Sequence, residues 1–318
     1  MARKGRKQKQ SKGLLYLIVL ICIVCICYEP IADALHINLP ATTTELTGKA
    51  PAEKAQTEKV QTKKTQTGKA PVKETSTKKT PPRKALGKEV LYPAPLRNTA
   101  EQILHRKGYT VSYNKDLKIP NWVAWELTPE KLIERESRTD KFLPDPDLPE
   151  SIAVTTDDYK RSGMDRGHMC PAGDNRWHWK AMQESFYMTN ICPQNHNLNR
   201  GDWKELEEAC RQWAKEEGKI YIVCGPVLYR QAHRTIGKKH KITVPEAFFK
   251  VILCTNSNPP KAIGFIYKNT SGNRPLDAYV NSVDGVERIT GIDFFPALPD
   301  DIEKQVEATY NLSLWKKR

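Results

Sequence analysis

Residues 41–88 contain no aromatic residue and almost no large aliphatic residue. Thr, Lys, Ala, Gln and Pro dominate the segment, and the pentapeptide TGKAP occurs at 47–51 and again at 67–71. Such a composition cannot bury enough apolar surface to offset the conformational entropy that ordering removes. The segment therefore cannot form a core, and we expect a disordered Lys/Thr-rich linker over residues 35–88. A polybasic tether that holds anionic polymers near the folded part is the functional alternative.

Acidic residues are absent from the first 28 positions, and no apolar run reaches the roughly 20 residues that a membrane-spanning helix needs. Six Lys/Arg in residues 1–13 precede fifteen apolar residues at 14–28, and Ala32-Asp33-Ala34 offers a small-residue cleavage site. This pattern favours a signal peptide over residues 1–34, with an uncleaved signal anchor as the alternative. Either outcome predicts export. After cleavage the protein would be secreted or periplasmic, and without cleavage its N-terminal segment would anchor it in the membrane with the folded domain outside the cytoplasm.

The positive charge lies mostly outside the predicted folded part. Residues 1–90 hold eighteen Lys/Arg and seven Asp/Glu, whereas the rest of the chain holds 33 and 30. The formal net charge of +14 therefore says little about the folded part, whose attraction for phosphate has to come from local clustering. Length and composition predict one folded domain over residues 89–318.

Hydrophobic periodicity in this domain predicts both strands and helices. Trp203, Leu206, Cys210 and Trp213 recur at helical spacing, which predicts a helix that Asp202 caps and that runs to about Glu217. Strand patterns occur at 103–113, 122–127, 220–224, 247–253 and 262–267. Because strands and helices do not alternate regularly, we expect an α+β fold with a mainly antiparallel central sheet and flanking helices.

Residues that can carry chemistry are concentrated between Met164 and Arg211. His168 lies beside Arg166, several amides follow, and Glu207 and Arg211 are four residues apart on one helix face. Cleavage of a phosphodiester requires a base for the attacking water, a cation at the phosphoryl and leaving oxygens, and a positive side chain nearby. His168, a hard divalent ion and Arg166 or Arg211 could supply these three parts.

Four ordered motifs resemble the DNA/RNA non-specific endonuclease family, whose fold is the ββα-metal (His-Me finger) nuclease fold. They are DRGHM at 165–169, TNICPQ at 189–194, LNRGDW at 198–203 with Leu206-Glu207, and TGIDFFP at 290–296. The resemblance covers residues 91–298 and implies the activity of the family: metal-dependent hydrolysis of DNA and RNA with little sequence specificity, leaving 5′-phosphate ends. DNA and RNA would bind through their phosphate backbones, and a homodimer is left open.

The resemblance also implies roles for individual residues. His168 matches the general base, and Asn199 matches the single protein ligand of a divalent ion, expected to be Mg²⁺ with Mn²⁺ or another divalent cation as alternatives. The remaining matches are Glu207 as the carboxylate that orients the water shell of the ion, Asn190 as a supporting amide, and Arg166 and Arg211 as phosphate-neutralising cations. Asp165 is expected to brace the loop.

One departure from the family pattern and one rival function remain. Arg200 stands where many relatives have Gln, so it adds a phosphate contact or faces solvent, and this puts substrate preference in doubt. The rival function is a non-catalytic nucleic-acid or envelope-binding module on a degenerate nuclease scaffold.

Five cysteines fall in the domain, an odd number that cannot all pair internally. A zinc site could be assembled from five residues, but their spacing matches no common zinc-binding pattern. The five are His168, Cys170, His178, Cys192 and His196.

Overall fold

The computed structural model describes residues 87–315. The predicted signal segment and nearly all of the predicted linker lie outside the described residues, so the boundaries at 34 and 88 stay predictions. Within residues 87–315, no helix has both the length and the apolar composition that crossing a bilayer would take.

A seven-stranded antiparallel sheet forms the centre of the domain, in the order β1-β2-β3-β6-β9-β10-β11. Its strands are Gln102–His105 (β1), Thr110–Asn114 (β2), Ile119–Leu127 (β3), Ile220–Val227 (β6), Ala247–Cys254 (β9), Lys261–Lys268 (β10) and Val280–Asn281 (β11). Two further pairs lie apart from this sheet: Asp165–His168 (β4) with Ile191–Gln194 (β5), and Thr235–Ile236 (β7) with Ile242–Thr243 (β8). The predicted α+β class with a mainly antiparallel sheet is confirmed.

The strand predictions differ from the structure by more than one residue in three places. Strand β3 begins at Ile119 and includes Pro120-Asn121, three residues before the predicted start at Trp122. The run at 103–113 is a hairpin of two strands, because a turn closed by the hydrogen bond from Arg106 N to Tyr109 O (2.8 Å) separates them. Strand β6 continues through Gly225-Pro226, where the sequence pattern predicted its end. Gly225 allows this continuation, because a Cβ at that position would lie 2.5 Å from the backbone oxygen of Asn121.

Five α-helices lie within the described residues: Trp179–Ser185 (α1), His196–Arg200 (α2), Asp202–Glu217 (α3), Val283–Thr290 (α4) and Asp300–Glu307 (α5). Helix α3 has the predicted bounds and buries the predicted face, including Trp203, Leu206 and Trp213. Its N-cap, however, is Gly201, and Asp202 is the first helical residue. The Asp202 carboxylate instead accepts hydrogen bonds from neighbouring groups of the 273–279 loop: Asn273 N, Arg274 N and the Tyr279 hydroxyl.

The large sheet is covered on both faces, and β9 shows how the two layers are made. Phe248 and Ile252 point to the layer that contains Trp203 and Leu206 of α3. Phe249 and Val251 point to the opposite layer, with Val283 and Val286 of α4 and Val306 of α5. Alternation along a strand places successive side chains on opposite faces. Helix α3 and helices α4 and α5 are therefore separated by the sheet.

The pair β4-β5 and the helices after it form a compact unit on the α3 side. His168 at the end of β4 pairs with Ile191 at the start of β5. Strand β5 leads into α2, and Gly201 alone separates α2 from α3. The Trp203 indole of α3 donates to the backbone oxygen of His168 (3.4 Å), which ties the helix to the strand pair. The chain thus brings β4, α2 and α3 to one place.

The contacts of Asp202 give a test of how α3 is anchored. Asp202→Ala removes the acceptor of three hydrogen bonds, and we expect the free energy of unfolding to fall by about 2 kcal/mol in urea titrations at pH 7. Burial alone would raise the pKa of Asp202, but hydrogen bonds from Tyr279, Asn273 and Arg274 outweigh it and lower the pKa. The difference from the parent protein should therefore shrink as pH falls through the carboxyl range.

The matched control for this variant is Glu205→Ala, since Glu205 is an exposed acidic residue of the same helical turn. We expect it to change the free energy of unfolding by less than about 0.5 kcal/mol. Equal losses for the two variants would show that helix charge, and not the anchoring of the 273–279 loop, accounts for the effect.

Candidate active site

A cavity of about 800 Å³ opens between β4, the N-terminal part of α3 and the loops around Arg138 and Lys160. Two carboxylates line it, those of Asp165 and Glu207. Six basic side chains line it as well: Arg138, Lys160, Arg166, Arg200, Lys204 and Arg211. The excess of positive charge in so small a volume is the local clustering that the overall charge of the domain does not reveal.

His168 lies in this cavity at the end of β4, with its ring packed between two phenylalanines. The ring centroids of Phe142 and Phe186 are 5.4 and 4.7 Å away. Its Nε2 is enclosed without a hydrogen-bond partner among the described residues. Burial, together with the positive charges of Arg138 and Arg166, lowers the pKa of His168 to about 3. The imidazole is therefore neutral at physiological pH.

Asn199, in α2, lines the same cavity and is oriented by Asp165. The Asn199 Nδ2 donates to Asp165 Oδ2 (2.9 Å), and His196 Nδ1 lies 3.1 Å from the same oxygen. Burial alone would raise the pKa of Asp165, but these hydrogen bonds and the charge of Arg200 lower it. With its amide nitrogen held in this way, Asn199 leaves its Oδ1 without a partner among residues 87–315. Asp165 thus braces the Asn199 side chain, whereas its predicted role in bracing the loop stays a prediction.

Glu207 and Arg211 share the face of α3 that borders the cavity, as their spacing predicts. They are not a simple solvated pair, because Arg211 Nη1 lies 3.1 Å from Oδ1 of the buried Asp174. Asp174 Oδ2 also accepts from the Trp125 indole (3.0 Å). Burial raises the pKa of Glu207 to about 7, against the opposing charges of Lys250 and Arg211. Its carboxylate has no hydrogen-bond partner within the described chain.

Arg166 and Arg200 also reach the cavity, but they differ in what holds them. Arg166 is exposed, and its guanidinium lies 4.4 Å from the centroid of the Phe142 ring. Arg200 is exposed and approaches Asp165 Oδ2 at 3.9 Å. Arg166 therefore stacks on an aromatic wall next to His168, whereas Arg200 lies beside Asn199.

Asn190 is the predicted site residue that the structure does not bring into the cavity. It is fully buried; its Oδ1 accepts from Cys170 N (2.9 Å), and its Nδ2 donates to the backbone oxygens of Cys170 (2.9 Å) and Ser185 (2.8 Å). These bonds fix the backbone two residues after His168. Asn190 is a positioning residue in this geometry.

Two buried charged residues beneath the cavity are missing from the sequence-based site. Asp174 lies shortly after the DRGHM motif, and no rule of sequence spacing predicts that it pairs with Arg211. Lys250 is fully buried in β9, with Nζ 4.3 Å from the Trp203 ring centroid and without a hydrogen-bond partner among residues 87–315. A lysine inside the apolar run AFFKVIL is the signal that could have identified it, because lysine is almost never fully buried without a partner.

The donor groups in the cavity fit a hard divalent ion. Asn199 Oδ1 and the Glu207 carboxylate both border the cavity, and neither has a protein donor within residues 87–315. Mg²⁺ prefers oxygen ligands and keeps several waters, so one amide oxygen and a nearby carboxylate suit it. Thiols do not contribute, because the five described cysteines are all buried and unpaired: Cys170, Cys192, Cys210, Cys224 and Cys254. The zinc set drawn from the sequence does not converge within the described chain.

Comparisons with known proteins agree with this geometry. The family model for DNA/RNA non-specific endonucleases matches residues 87–301. A zebrafish (Danio rerio) protein named Nuclease EXOG, mitochondrial, is 37% identical over 206 residues, 60% of each chain. Nuclease 1, mitochondrial, of Schizosaccharomyces pombe is 32% identical over 217 residues, 63% of this chain and 67% of that protein. The chain spans about three fifths of the length of the curated relatives that it matches first.

A solved structure has the same fold. The EndoG chain of an EndoG/EndoGI complex, described as showing the mechanism of EndoG inhibition, superposes with a TM-score of 0.59 at 27% identity. The superposition covers 63% of this chain and 87% of that chain. The prediction of a ββα-metal nuclease fold is confirmed.

The predicted export of the chain is wrong, because several of the relatives that it matches first are named as mitochondrial nucleases. The secreted interpretation falls with it, whereas the signal-peptide and membrane interpretations concern residues outside the described range and find no support in these relatives. The N-terminal pattern misled because a basic start without acidic residues is common to secretory signals and mitochondrial transit peptides. A homodimer remains a prediction only.

The DRGHM and LNRGDW motifs with Glu207 line one cavity, the family model covers more than half of the sequence, and a solved relative has the same fold. The chain belongs to the DNA/RNA non-specific endonuclease family.

Proposed function

We propose that the chain is a metal-dependent endonuclease that hydrolyses DNA and RNA with little sequence specificity and leaves 5′-phosphate ends. The observation that carries this proposal is the convergence of His168, Asn199 and Glu207 on a single cavity that six basic side chains line. A neutral imidazole, an oriented amide oxygen and an unpaired carboxylate are the parts that phosphodiester hydrolysis requires.

His168 is the proposed general base. Its neutral ring accepts a proton from the attacking water, and Phe142 and Phe186 hold its plane. In the free protein, burial and the charges of Arg138 and Arg166 lower its pKa to about 3, which makes it a weak base. A bound phosphodiester carries a negative charge and would pair with these arginines. Substrate binding would then raise the basicity of His168 at the moment when a base is needed.

Asn199 is the proposed protein ligand of the ion, preferably Mg²⁺, and Glu207 orients its water shell. When bound, the ion supplies charge stabilisation at the phosphoryl group and at the leaving 3′ oxygen. Asp165 holds the Asn199 Nδ2 and so leaves the Oδ1 available to an ion, and the Asp174–Arg211 pair supports the face of α3 that carries Glu207. Departure of the 3′ oxygen leaves the phosphate on the 5′ end.

Substrate binding is proposed to depend on phosphate contacts. Arg166 is exposed at the cavity, and no carboxylate within residues 87–315 pairs with it; Lys160, Arg200 and Lys204 add positive charge around it. Contacts to phosphate position the nucleic acid without reading its bases, so both DNA and RNA would be accepted and binding would weaken steeply with salt. Arg200, at the position where many relatives have Gln, faces the cavity beside Asn199 and would make one of these contacts.

The central test compares site variants with matched surface variants in the full chain. We expect His168→Ala to lower kcat/KM for plasmid DNA and for RNA by about 10²- to 10⁴-fold, the usual loss of a general base, and Asn199→Ala to lower it by at least about 100-fold. Cleavage is measured with Mg²⁺ and with chelator, which should abolish it. The controls are His105→Ala, on the exposed side of edge strand β1, and Asn197→Ala, exposed in the same helix as Asn199. Binding of both substrates without cleavage under any divalent ion would instead support the non-catalytic binding module.

A second test uses the pKa of Glu207. Because this pKa is raised to about 7, the ionised carboxylate is lost as pH falls below about 7, and kcat/KM at low Mg²⁺ should fall over pH 7 to 5. Saturating Mg²⁺ should move this decline to lower pH, because a cation competes with the proton. In Glu207→Gln the residual activity should lack the decline, while Glu208→Gln, an exposed neighbour, should keep it. A decline that Glu207→Gln leaves in place would assign the titration to another group.

A further inference from the structure

Three carboxylates converge on the other side of the central sheet from the cavity. Asp284 and Glu287 belong to α4, and Glu307 ends α5. One oxygen from each lies within 4.8 Å of the others, which is the only such group of possible metal ligands within residues 87–315. Because the sheet separates α4 and α5 from α3, this cluster is independent of the proposed active site.

Glu307 distinguishes this cluster from an ordinary acidic surface. The residue is only 6% exposed, and its Oε1 is sealed from solvent without any hydrogen-bond partner among the described residues. A buried carboxylate oxygen without a donor is costly, because it loses its hydration and gains nothing in return. A group that supplies positive charge at this point would remove that cost.

The other oxygens of the cluster are almost as poorly satisfied. Glu287 Oε1 accepts from Phe294 N (2.7 Å), and this is the one protein hydrogen bond to the three carboxylates within the described chain. None of the three forms a salt bridge there. Two more carboxylates, Asp293 and Glu303, lie close enough to act on Glu307 electrostatically. Lys304 of α5 offsets part of the charge of Glu303, but no cation within residues 87–315 forms an ion pair with the three carboxylates.

The TGIDFFP motif, which the nuclease site leaves without a role, helps to build this cluster. Gly291 ends α4 in the left-handed region (φ 70°), and Phe294 and Phe295 then enter the core. That path brings Phe294 N to Glu287 and leaves Asp293 beside the cluster. The motif therefore positions acidic groups far from His168, on the opposite layer.

Without a bound cation, the crowding of carboxylates favours protonated forms of the cluster. Burial and the surrounding carboxylates raise the pKa of Glu287 to about 7 and that of Glu307 to about 9. The groups that face Glu307 are all acidic: Asp284 and Glu287 of α4, Asp293 of the connecting loop and Glu303 of α5. A proton shared within the cluster is thus the competing explanation.

We propose that Asp284, Glu287 and Glu307 bind a hard divalent cation of the calcium class, which links α4 to α5 and stabilises this layer of the fold. Calcium suits the cluster better than magnesium, because it accepts carboxylates in irregular geometry, whereas magnesium demands near-ideal octahedral geometry and dehydrates reluctantly. Three carboxylates without an ordered calcium loop suggest a modest affinity, with a dissociation constant on the order of 10⁻⁴ to 10⁻³ M. The role is structural, so it goes beyond the proposed nuclease activity.

The experiment measures the Tm of the full chain at pH 7.5, without divalent ions and with 10 mM calcium chloride. Asn199→Ala serves as the background, so that an ion in the active site does not contribute. We expect calcium to raise the Tm by about 5 °C in this background and by less than about 1 °C after addition of Glu307→Gln or Asp284→Asn. Asp301→Asn, an exposed acid on the same helix as Glu307, should keep the full shift.

The metal-free proteins give the second readout. A carboxyl whose pKa is raised in the folded state stabilises the fold at low pH, and that contribution is lost as pH rises towards the raised pKa. Without calcium, the Tm should therefore fall between pH 5 and 9, and Glu307→Gln should reduce this fall. Calcium should oppose the loss most strongly at pH 8 to 9, where it meets ionised carboxylates.

Two results would overturn the proposal. An equal calcium shift in the Glu307→Gln and parent proteins would place the ion elsewhere. No calcium shift at any pH, together with a higher Tm for metal-free Glu307→Gln, would show that the cluster holds a shared proton only. Neither readout depends on nucleic-acid cleavage, so failure of the nuclease proposal would leave this test unaffected.

Discussion

The charge of Lys250 beneath the active site is the constraint on which the rest of the site depends. Its Nζ is sealed between two indoles, 4.3 Å from the Trp203 ring centroid and 5.5 Å from that of Trp125. Burial alone would lower the pKa of Lys250, but nearby thiols and the carboxylates of Glu207 and Asp174 raise it. A buried charge persists only where opposite charge and polarisable groups compensate for lost hydration. Lysine, carboxylates and indoles therefore have to be kept together.

This requirement explains how the sheet and α3 hold the catalytic face in position. Trp203 packs α3 onto Lys250 and also donates to the His168 backbone, so one side chain links the buried charge to the proposed base. Trp125 of β3 donates to Asp174, which in turn holds Arg211. The ring of each indole thus lies beside the Lys250 ammonium group, and the N–H group of each donates a hydrogen bond, to His168 in one case and to Asp174 in the other. The cavity is positioned by contacts below it, and the side chains that line it remain available for substrate.

The parts of this arrangement that follow from local sequence were predictable, and those that depend on contacts across the chain were not. Helix α3 follows from its 3.6-residue apolar spacing, and the adjacency of Glu207 and Arg211 follows from the four residues between them. Asp174 and Lys250 come within electrostatic range of each other only because the fold brings β9 and the segment after β4 together, which no spacing rule encodes. Asn190 shows the converse: the motif identifies it, but its partners are backbone groups that sequence alone does not reveal. Asp202 is a residue type that commonly caps a helix, yet its carboxylate accepts hydrogen bonds from the 273–279 loop, over 70 residues away in the sequence.

The two faces of the central sheet carry opposite charge, and this asymmetry has a consequence for substrate approach. The α3 side presents six basic side chains around one cavity, whereas the α4 and α5 side gathers four carboxylates around that of Glu307. A polyanion is attracted to the first face and repelled by the second, so encounters are steered towards the face that carries His168. A cation held by Asp284, Glu287 and Glu307 would neutralise part of the acidic face but leave Asp293 and Glu303 to repel phosphate. Strand β9 contributes to both layers, because successive side chains of a strand point to opposite faces of the sheet. Lys250 lies on the side of the cavity, and the alternate side chains of β9 pack in the layer of α4 and α5.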